Sequence, residues 1–376
     1  MTRWLLTAGD FRRQGGMDAA NHALAAFLAR RADAEVHLVG HSVSPDLAMA
    51  PRVRVHNVPR PFDSHRLGQP LLRSAAERLQ RRLGAVRSIA NGGNADLADV
   101  NWVHYVHAAY EPRSARRRAL GAITHRHNLR HETASLGRAR LVICNSHRTA
   151  ADITRLKGVE PERIRVVYYG IDPIRFAQIV PDERVHARRR LSLPDGRLTA
   201  LFVGALGDRR KNFDTLFDAW RTLCGSADWD VDLIVAGTGA ELPAWRSRAA
   251  EQIPRGRIEF LDFHADVASL LAAGDVLIHP ARYEPYGLAV HEALSRGIPA
   301  FVSQGAGVAE RYPIALRSML LTDPESAAGL CTALRRWRSE MPLFNRQTAA
   351  LAESLRSRTW DDMAGEIVSA IESRAA

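Results

Sequence analysis

The stretch RYEPYGLAVHEALSRGIPAFVS (282–303) decides how this sequence reads. It follows the apolar run DVLIHPA (275–281) and ends in another, PAFVS (299–303). Short apolar runs bounded by turn residues read as buried strands of a parallel sheet. The segment between them reads as a helix from about Gly287 to Arg296, stopped by Gly297 and Pro299. A helix N-terminus offers backbone N–H groups to an anion, and a residue without Cβ lets a phosphate come close. The C-terminal edge of such a sheet is where α/β proteins bind ligands. Two carboxylates flank this point, Glu284 before the helix and Glu292 inside it. A phosphate repels Glu292, whereas a pair of vicinal hydroxyls suits its two oxygens. That describes a ribose. Glu284, on the other side of the phosphates, suits a second polyol. The stretch therefore reads as a cradle for ribose, diphosphate and sugar.

Such a cradle needs positive charge opposite it. GALGDRRKNFDTLFDAW (204–220) supplies it: a strand ends in Gly204, and Arg209, Arg210 and Lys211 precede a helix. Cations beside a diphosphate bind more strongly as charge accumulates on the leaving group.

The rest of the chain sets the frame. At 376 residues it predicts two domains. No apolar run reaches the ~18 residues of a membrane-spanning helix. The opening MTRWLLTAGDF reads as a first strand rather than a signal peptide, so a cytoplasmic protein is expected. Three isolated cysteines, Cys144, Cys224 and Cys331, argue against disulfides and a zinc-cysteine site. The net charge of +11 is one-sided: residues 1–180 carry +13 and residues 181–376 carry −2. A basic first half points to a polyanionic partner.

Strand patterns at 4–9, 35–40, 52–58, within 101–109 and at 139–146 alternate with helical ones in the first half. Those at 199–206, 232–239, 258–263, 275–281 and 299–303 do so in the second. Alternation of this kind predicts parallel sheets with helices on both faces. The charged, proline-bearing stretch 179–197 marks the domain join. The helix at 71–86 has an apolar stripe flanked by arginines and reads either as a membrane-surface helix or as an ordinary surface helix.

The ordered set of motifs resembles the family 4 retaining glycosyltransferases. Its pieces are Gly15-Gly16 after the first strand, His107 after NWVHYV, YYGIDPIRF (168–176), VGAL…RRKNF, IVAGTG and EPYGLAVHE with its Glu-x7-Glu spacing. The resemblance covers most of the chain. It implies an α/β protein of GT-B architecture, two doubly wound Rossmann-like domains facing each other across a cleft. The expected divisions are 1–180 for the acceptor, 181–358 for the donor, and 359–376 as a helix crossing back. The resemblance implies that Glu292 holds the donor ribose and Glu284 the sugar hydroxyls. Amides around Tyr286, Gly287 and Leu288 would hold the diphosphate, and Lys211 with Arg209 or Arg210 would neutralise it. His107 would lie near the transferred sugar, with His104 as its competitor, and Gly15 and Gly16 would let their loop approach the diphosphate. Two positions depart from the family pattern: Ala205 stands where an arginine is usual, and Asn212 where a glycine is usual. Asn tolerates a positive φ, so the turn is expected to survive.

The expected reaction is transfer of a hexose from a UDP- or GDP-linked donor, with retention and without a metal or other cofactor. No Asp-x-Asp pair stands where a metal ligand is needed, and the resemblance suggests a same-face route. The acceptor is expected to be a glycan or lipid-linked molecule of the cell envelope, reached at an acidic membrane face. Two other classes compete. An NAD-dependent enzyme would use GTGAEL (237–242), which lacks the third glycine of the fingerprint. A nucleic-acid-binding protein would use the basic half, but no helix-turn-helix or RNP-like pattern is present, so no nucleic-acid partner is expected.

Overall fold

The computed structural model describes residues 1–97, 99–111, 118–207 and 209–374, with side chains from 123 onward in the helix that begins at Arg118. The chain forms two compact units. The first takes in Met1–Glu111, the segment up to Gly170, and the stretch from Thr359 on; the second runs from Ile171 to Arg358.

The first unit is built on seven parallel strands: β1 (Thr2–Thr7), β2 (Ala34–Gly40), β3 (Val53–Asn57), β4 (Arg87–Asn91), β5 (Val100–Val103), β6 (Leu141–Cys144) and β7 (Ile164–Val166), in the order β3-β2-β1-β4-β5-β6-β7. The reversal beside β1 is the doubly wound pattern. Its helices include α1 (Gly16–Arg30), α2 (His65–Leu83), α3 (Arg118–Arg138) and α4 (His147–Lys157). In α2, Leu72 and Ala76 are buried against Leu5, Val39, Val58, Ala90 and Leu97. The apolar stripe read at 71–86 is therefore occupied by the core. The membrane-surface reading of that stripe does not hold, and what α2 exposes is His65, Arg66, Leu67, Pro70, Leu71, Arg78, Arg81 and Arg82.

The second unit repeats the plan with β8 (Leu198–Val203), β9 (Val231–Ala236), β10 (Ile258–Phe260), β11 (Val276–His279), β12 (Ala300–Ser303) and β13 (Leu320–Leu321), in the order β10-β9-β8-β11-β12-β13. Central strands β9, β11 and β12 are buried along their whole length, as interior parallel strands must be. Two of its helices carry the candidate site. In α5 (Phe213–Cys224), Phe213, Leu216, Phe217, Trp220 and Leu223 recur at helical spacing and are all buried. The other is α6 (Leu288–Ser295). The last helix, α7 (Trp360–Glu372), opens with a capping box at Thr359 and Asp362 and packs on α1 in the first unit.

The expected join at 180/181 is displaced. The division falls after Gly170, because Ile171 and Phe176 are buried in the second unit's core. The stretch 179–197 is not a linker: its helix Pro181–Arg190 buries Ala187 against Ala272 and Ala273.

Candidate functional site

The site grows from the end of β11. His279 is its last residue and is 1% exposed. Its Nε2 lies 2.8 Å from Oε2 of Glu284 and 3.3 Å from Nζ of Lys211. Lys211 also donates to the same Glu284 oxygen. The Nη1 of Arg210 stands 3.8 Å from that oxygen and donates to the Tyr283 carbonyl at 3.2 Å. One buried carboxylate thus gathers an ammonium, a guanidinium and an imidazole. Burial alone would raise the Glu284 carboxyl, but Lys211 and the His279 hydrogen bond outweigh it and hold it well below the usual range. Burial first, and then Lys211, push His279 down toward its neutral form. The charge at this spot is therefore carried by Lys211, Arg210 and Glu284.

Room for this cluster comes from backbone geometry. A Cβ on Gly204 would stand 3.2 Å from Cγ of Lys211. Arg209 and Asn212 both have φ of 57°, so the loop turns sharply twice just before α5. The turn survives with Asn212 in the left-handed conformation; its side chain donates to the Pro324 carbonyl (2.5 Å) and accepts from Thr215 (2.8 Å). The loop also separates the two arginines that sequence left as alternatives. Arg210 turns toward Glu284, and Arg209 turns away to Glu241 (3.0 Å).

Gly287 caps α6 with φ of 111°. A Cβ there would sit 3.0 Å from Val308 Cγ1 and 3.3 Å from Glu284 Cγ. Backbone bonds from Gly307 to the Glu284 carbonyl (3.1 Å) and from Val308 to the Tyr286 carbonyl (2.8 Å) pin this turn. The ring of Tyr286 is buried with its hydroxyl on His291 (2.7 Å), so this residue can serve a ligand only through its backbone. Glu292 sits in the second turn of α6, half-buried, with no hydrogen bond or ion pair among the described residues. Burial pushes its carboxyl up to about 7, with Arg175 opposing. A carboxylate desolvated without a partner is costly unless a ligand supplies donors.

The remaining expected residues lie in the first unit. Gly15, with φ of 85°, caps α1, and Gly16 is its first residue; both are exposed. His104 is buried on Tyr169 and its ring is held near a pKa of about 3 by desolvation. It is a packed core histidine. His107 is half-buried in a 3-10 turn (His107–Ala109), and burial lowers its pKa. The amides of His107 and Ala108 donate to Glu132 of α3 at 2.7 and 3.3 Å, and Lys157 pairs with Glu132 at 2.9 Å. His127 bonds Gln69 (3.1 Å) and packs on His131. Among the described residues no three His, Cys, Asp or Glu side chains are grouped to hold a metal.

Residues 14–175 match the family model described as Glycosyltransferase Family 4, and residues 197–339 match that described as Glycosyl transferases group 1. The chain belongs to glycosyltransferase family 4. It is 27% identical over 223 residues to the lipopolysaccharide glucosyltransferase WaaG of Escherichia coli, covering 58% of this chain and 59% of that protein. It is 32% identical over 183 residues to the D-inositol 3-phosphate glycosyltransferase of Mycobacterium bovis, 47% of this chain and 35% of that one. The alignments thus span less than two thirds of these relatives' own lengths. The crystal structure of WaaG superposes with a TM-score of 0.80 at 21% identity, over 98% of this chain and 99% of that one. HepE of Anabaena, solved with UDP and glucose, gives 0.76 at 18% identity, over 99% and 100%. These likenesses show the GT-B fold.

Family membership also removes the dinucleotide reading of GTGAEL. A Cβ on Gly237 would lie 1.9 Å from the Gly204 carbonyl oxygen, and one on Gly239 2.3 Å from the Leu206 backbone. These glycines let two loops touch. Sequence reasoning missed His279 and the Glu132–Lys157 pair. His279 had one signal, a polar residue closing an apolar strand five positions before Glu284. Glu132 and Lys157 meet through tertiary packing and had none.

Proposed function

We propose that this family 4 protein is a retaining hexosyltransferase that takes its sugar from a nucleotide diphosphate donor. The observation that carries the reading is the grouping of Lys211, Arg210 and His279 on Glu284 beside the glycine-capped end of α6, with unpartnered Glu292 one turn further on. In this reading Glu292 takes the ribose diol, and the α6 end around Tyr286, Gly287 and Leu288 takes the diphosphate. Lys211 and Arg210 neutralise charge as the nucleoside diphosphate departs. Glu284, already ionised, accepts sugar hydroxyls. The second unit then serves the donor and the first the acceptor, with Gly15, Gly16 and His107 contributing from the first. With two cations in place, the leaving group is stabilised without a divalent ion. A phosphate oxygen of the leaving group takes the acceptor's proton on the same face. HepE was solved with UDP-glucose, and WaaG is named for lipopolysaccharide, which supports a UDP-linked donor and an envelope acceptor.

The thermal stability of the purified protein with UDP, GDP, ADP, NAD and short DNA tests this. A rise with one nucleoside diphosphate, lost in Glu292→Ala, is expected. A rise with NAD or DNA alone refutes it. The exposed arginines of α2 and the basic first half support attachment to an acidic membrane face from the cytoplasmic side. Flotation with anionic vesicles should then fall as salt rises; absent or salt-insensitive flotation counts against attachment.

A further inference from the structure

The cation loop is held in a form it would not keep alone. Two non-glycine residues, Arg209 and Asn212, adopt φ of 57° within four positions. Asn212 tolerates this conformation, whereas Arg209 is strained in it and persists there only where its surroundings over-determine it. Among those surroundings, one residue, Arg282, reaches the loop several times. The backbone N–H of Arg282 donates to the Arg210 carbonyl at 2.9 Å. Its Nη1 donates to the Arg209 carbonyl and to Asp214 Oδ1, both at 2.8 Å, and its Nη2 donates to Asp214 Oδ2 at 2.8 Å. Its Nε donates to Glu325 at 2.6 Å. One guanidinium, 11% exposed, therefore ties the loop backbone to the first turn of α5 and to the 323–326 turn.

We infer that Arg282 is a positioning residue for the diphosphate cations: it fixes the Arg209–Arg210 backbone so that Arg210 and Lys211 stand over Glu284. This rests on the donor-site reading above. The hydrogen bonds recorded for Arg282 go to loop backbone, Asp214 and Glu325, so it acts through the loop. Lysine cannot replace it, because a single ammonium lacks the planar fork that grips Asp214 with two bonds while reaching a third acceptor.

The test is calorimetric. Affinity for the nucleoside diphosphate that the wild type binds, from UDP, GDP and ADP, is compared with affinity for its monophosphate. Four proteins are measured: wild type, Arg282→Lys, Lys211→Ala and the double variant. Arg282→Lys should weaken the diphosphate about tenfold and the monophosphate less than about threefold, as expected for lost charge-assisted bonds to the outer phosphate. In the Lys211→Ala background the same change should add less than about threefold, since both act on one interaction. Asp214→Asn, which keeps the shape and loosens the fork, should give the same pattern more weakly. Equal losses for both nucleotides, or additive losses in the double variant, overturn the inference and leave Arg282 a plain structural residue. A wild type that binds none of the three diphosphates overturns the donor-site reading itself, and this inference with it.

Discussion

Gly287→Ala should damage both the stability and the ligand site of the second unit. Two costs act on the added methyl group. The backbone is at φ of 111°, outside the regions that L-residues favour. Holding a non-glycine residue in such a region costs about 1–3 kcal/mol. The methyl would also stand 3.0 Å from Val308 Cγ1 and 3.3 Å from Glu284 Cγ, both inside normal contact. Inserting a methyl group into packed surroundings costs about 1–3 kcal/mol more. A total of about 3 kcal/mol lowers the melting temperature of a unit this size by about 6–12 °C. The strain is relieved only by swinging the 284–287 turn, which moves Glu284 away from Lys211 and His279. Nucleoside diphosphate affinity should therefore fall as well. Differential scanning calorimetry gives the first quantity and titration calorimetry the second. Adding Val308→Ala removes the nearer clash but not the backbone cost, so the double variant should recover part of the lost stability. A Gly287→Ala protein melting within about 2 °C of wild type, less than 1 kcal/mol by the same scaling, refutes the reasoning.

Glu292 gives a pH signature with a definite sign. Its carboxyl lies near 7 in the folded chain against 4.5 ordinarily, so its ionisation opposes folding above pH 7, and that cost fades as pH falls toward 4.5. Glu292→Gln should accordingly raise the melting temperature at pH 8, do little at pH 5, and still lose nucleotide affinity; a fall in stability at pH 8 contradicts this. Wild-type affinity should also drop more between pH 8 and pH 6 than that of the Gln variant, which keeps only the phosphate's own titration. Glu132→Gln leaves Lys157 buried without its counter-charge and should destabilise the first unit by about 3–5 kcal/mol. Adding Lys157→Met should restore much of that, as read by urea denaturation; no recovery would mean the pair is not what holds the turn at His107. Lys211→Arg should not rescue donor binding, and wild-type affinity in that variant would show that any cation suffices.

The fold was legible because most strands announce themselves as short apolar runs, and β8, β9, β11 and β12 are buried as such runs require. Three of these strands escaped, the two-residue β13 (Leu320–Leu321) among them. RSIAN (87–91) holds one large apolar residue, and its polar ones are satisfied inside the fold: Ser88 bonds Asp99 at 2.8 Å, and Asn91 bonds Asn21 at 2.6 Å. IRV (164–166) at the sheet edge is too short to show a period. The site was legible where it is local in sequence, from Glu284 to Glu292. Which of Arg209 and Arg210 turns toward Glu284 was not, because the loop takes a positive φ at Arg209 and nothing in the residue type demands one. The distinction between His104 and His107 rested on Tyr169, a partner 65 residues away.

The use of lysine ties these points together. Of 52 basic residues, only Lys157 and Lys211 are lysine, and each is paired with a glutamate that is at least nine-tenths buried. A general preference for arginine would account for the fifty arginines but not for these two places. Arginine gives a rigid fork and holds one carboxylate with two bonds, as Arg282 holds Asp214. Lysine gives a compact charge with three rotatable donors, and can pass from one anion to another without breaking a paired geometry. At 157 the consequence is that one ammonium serves Glu132 and also Thr133 at 3.0 Å in a space with 7% side-chain exposure. At 211 Lys211 lies on Glu284, and in the donor reading proposed above it would turn to an incoming phosphate while the carboxylate keeps His279 as a partner at 2.8 Å. In that reading Glu284 would meet sugar hydroxyls without becoming an orphaned buried charge. An arginine in its place would hold Glu284 in the resting pair and oppose that exchange. His279, the residue sequence reasoning passed over, is the partner that in this reading would let the lysine leave.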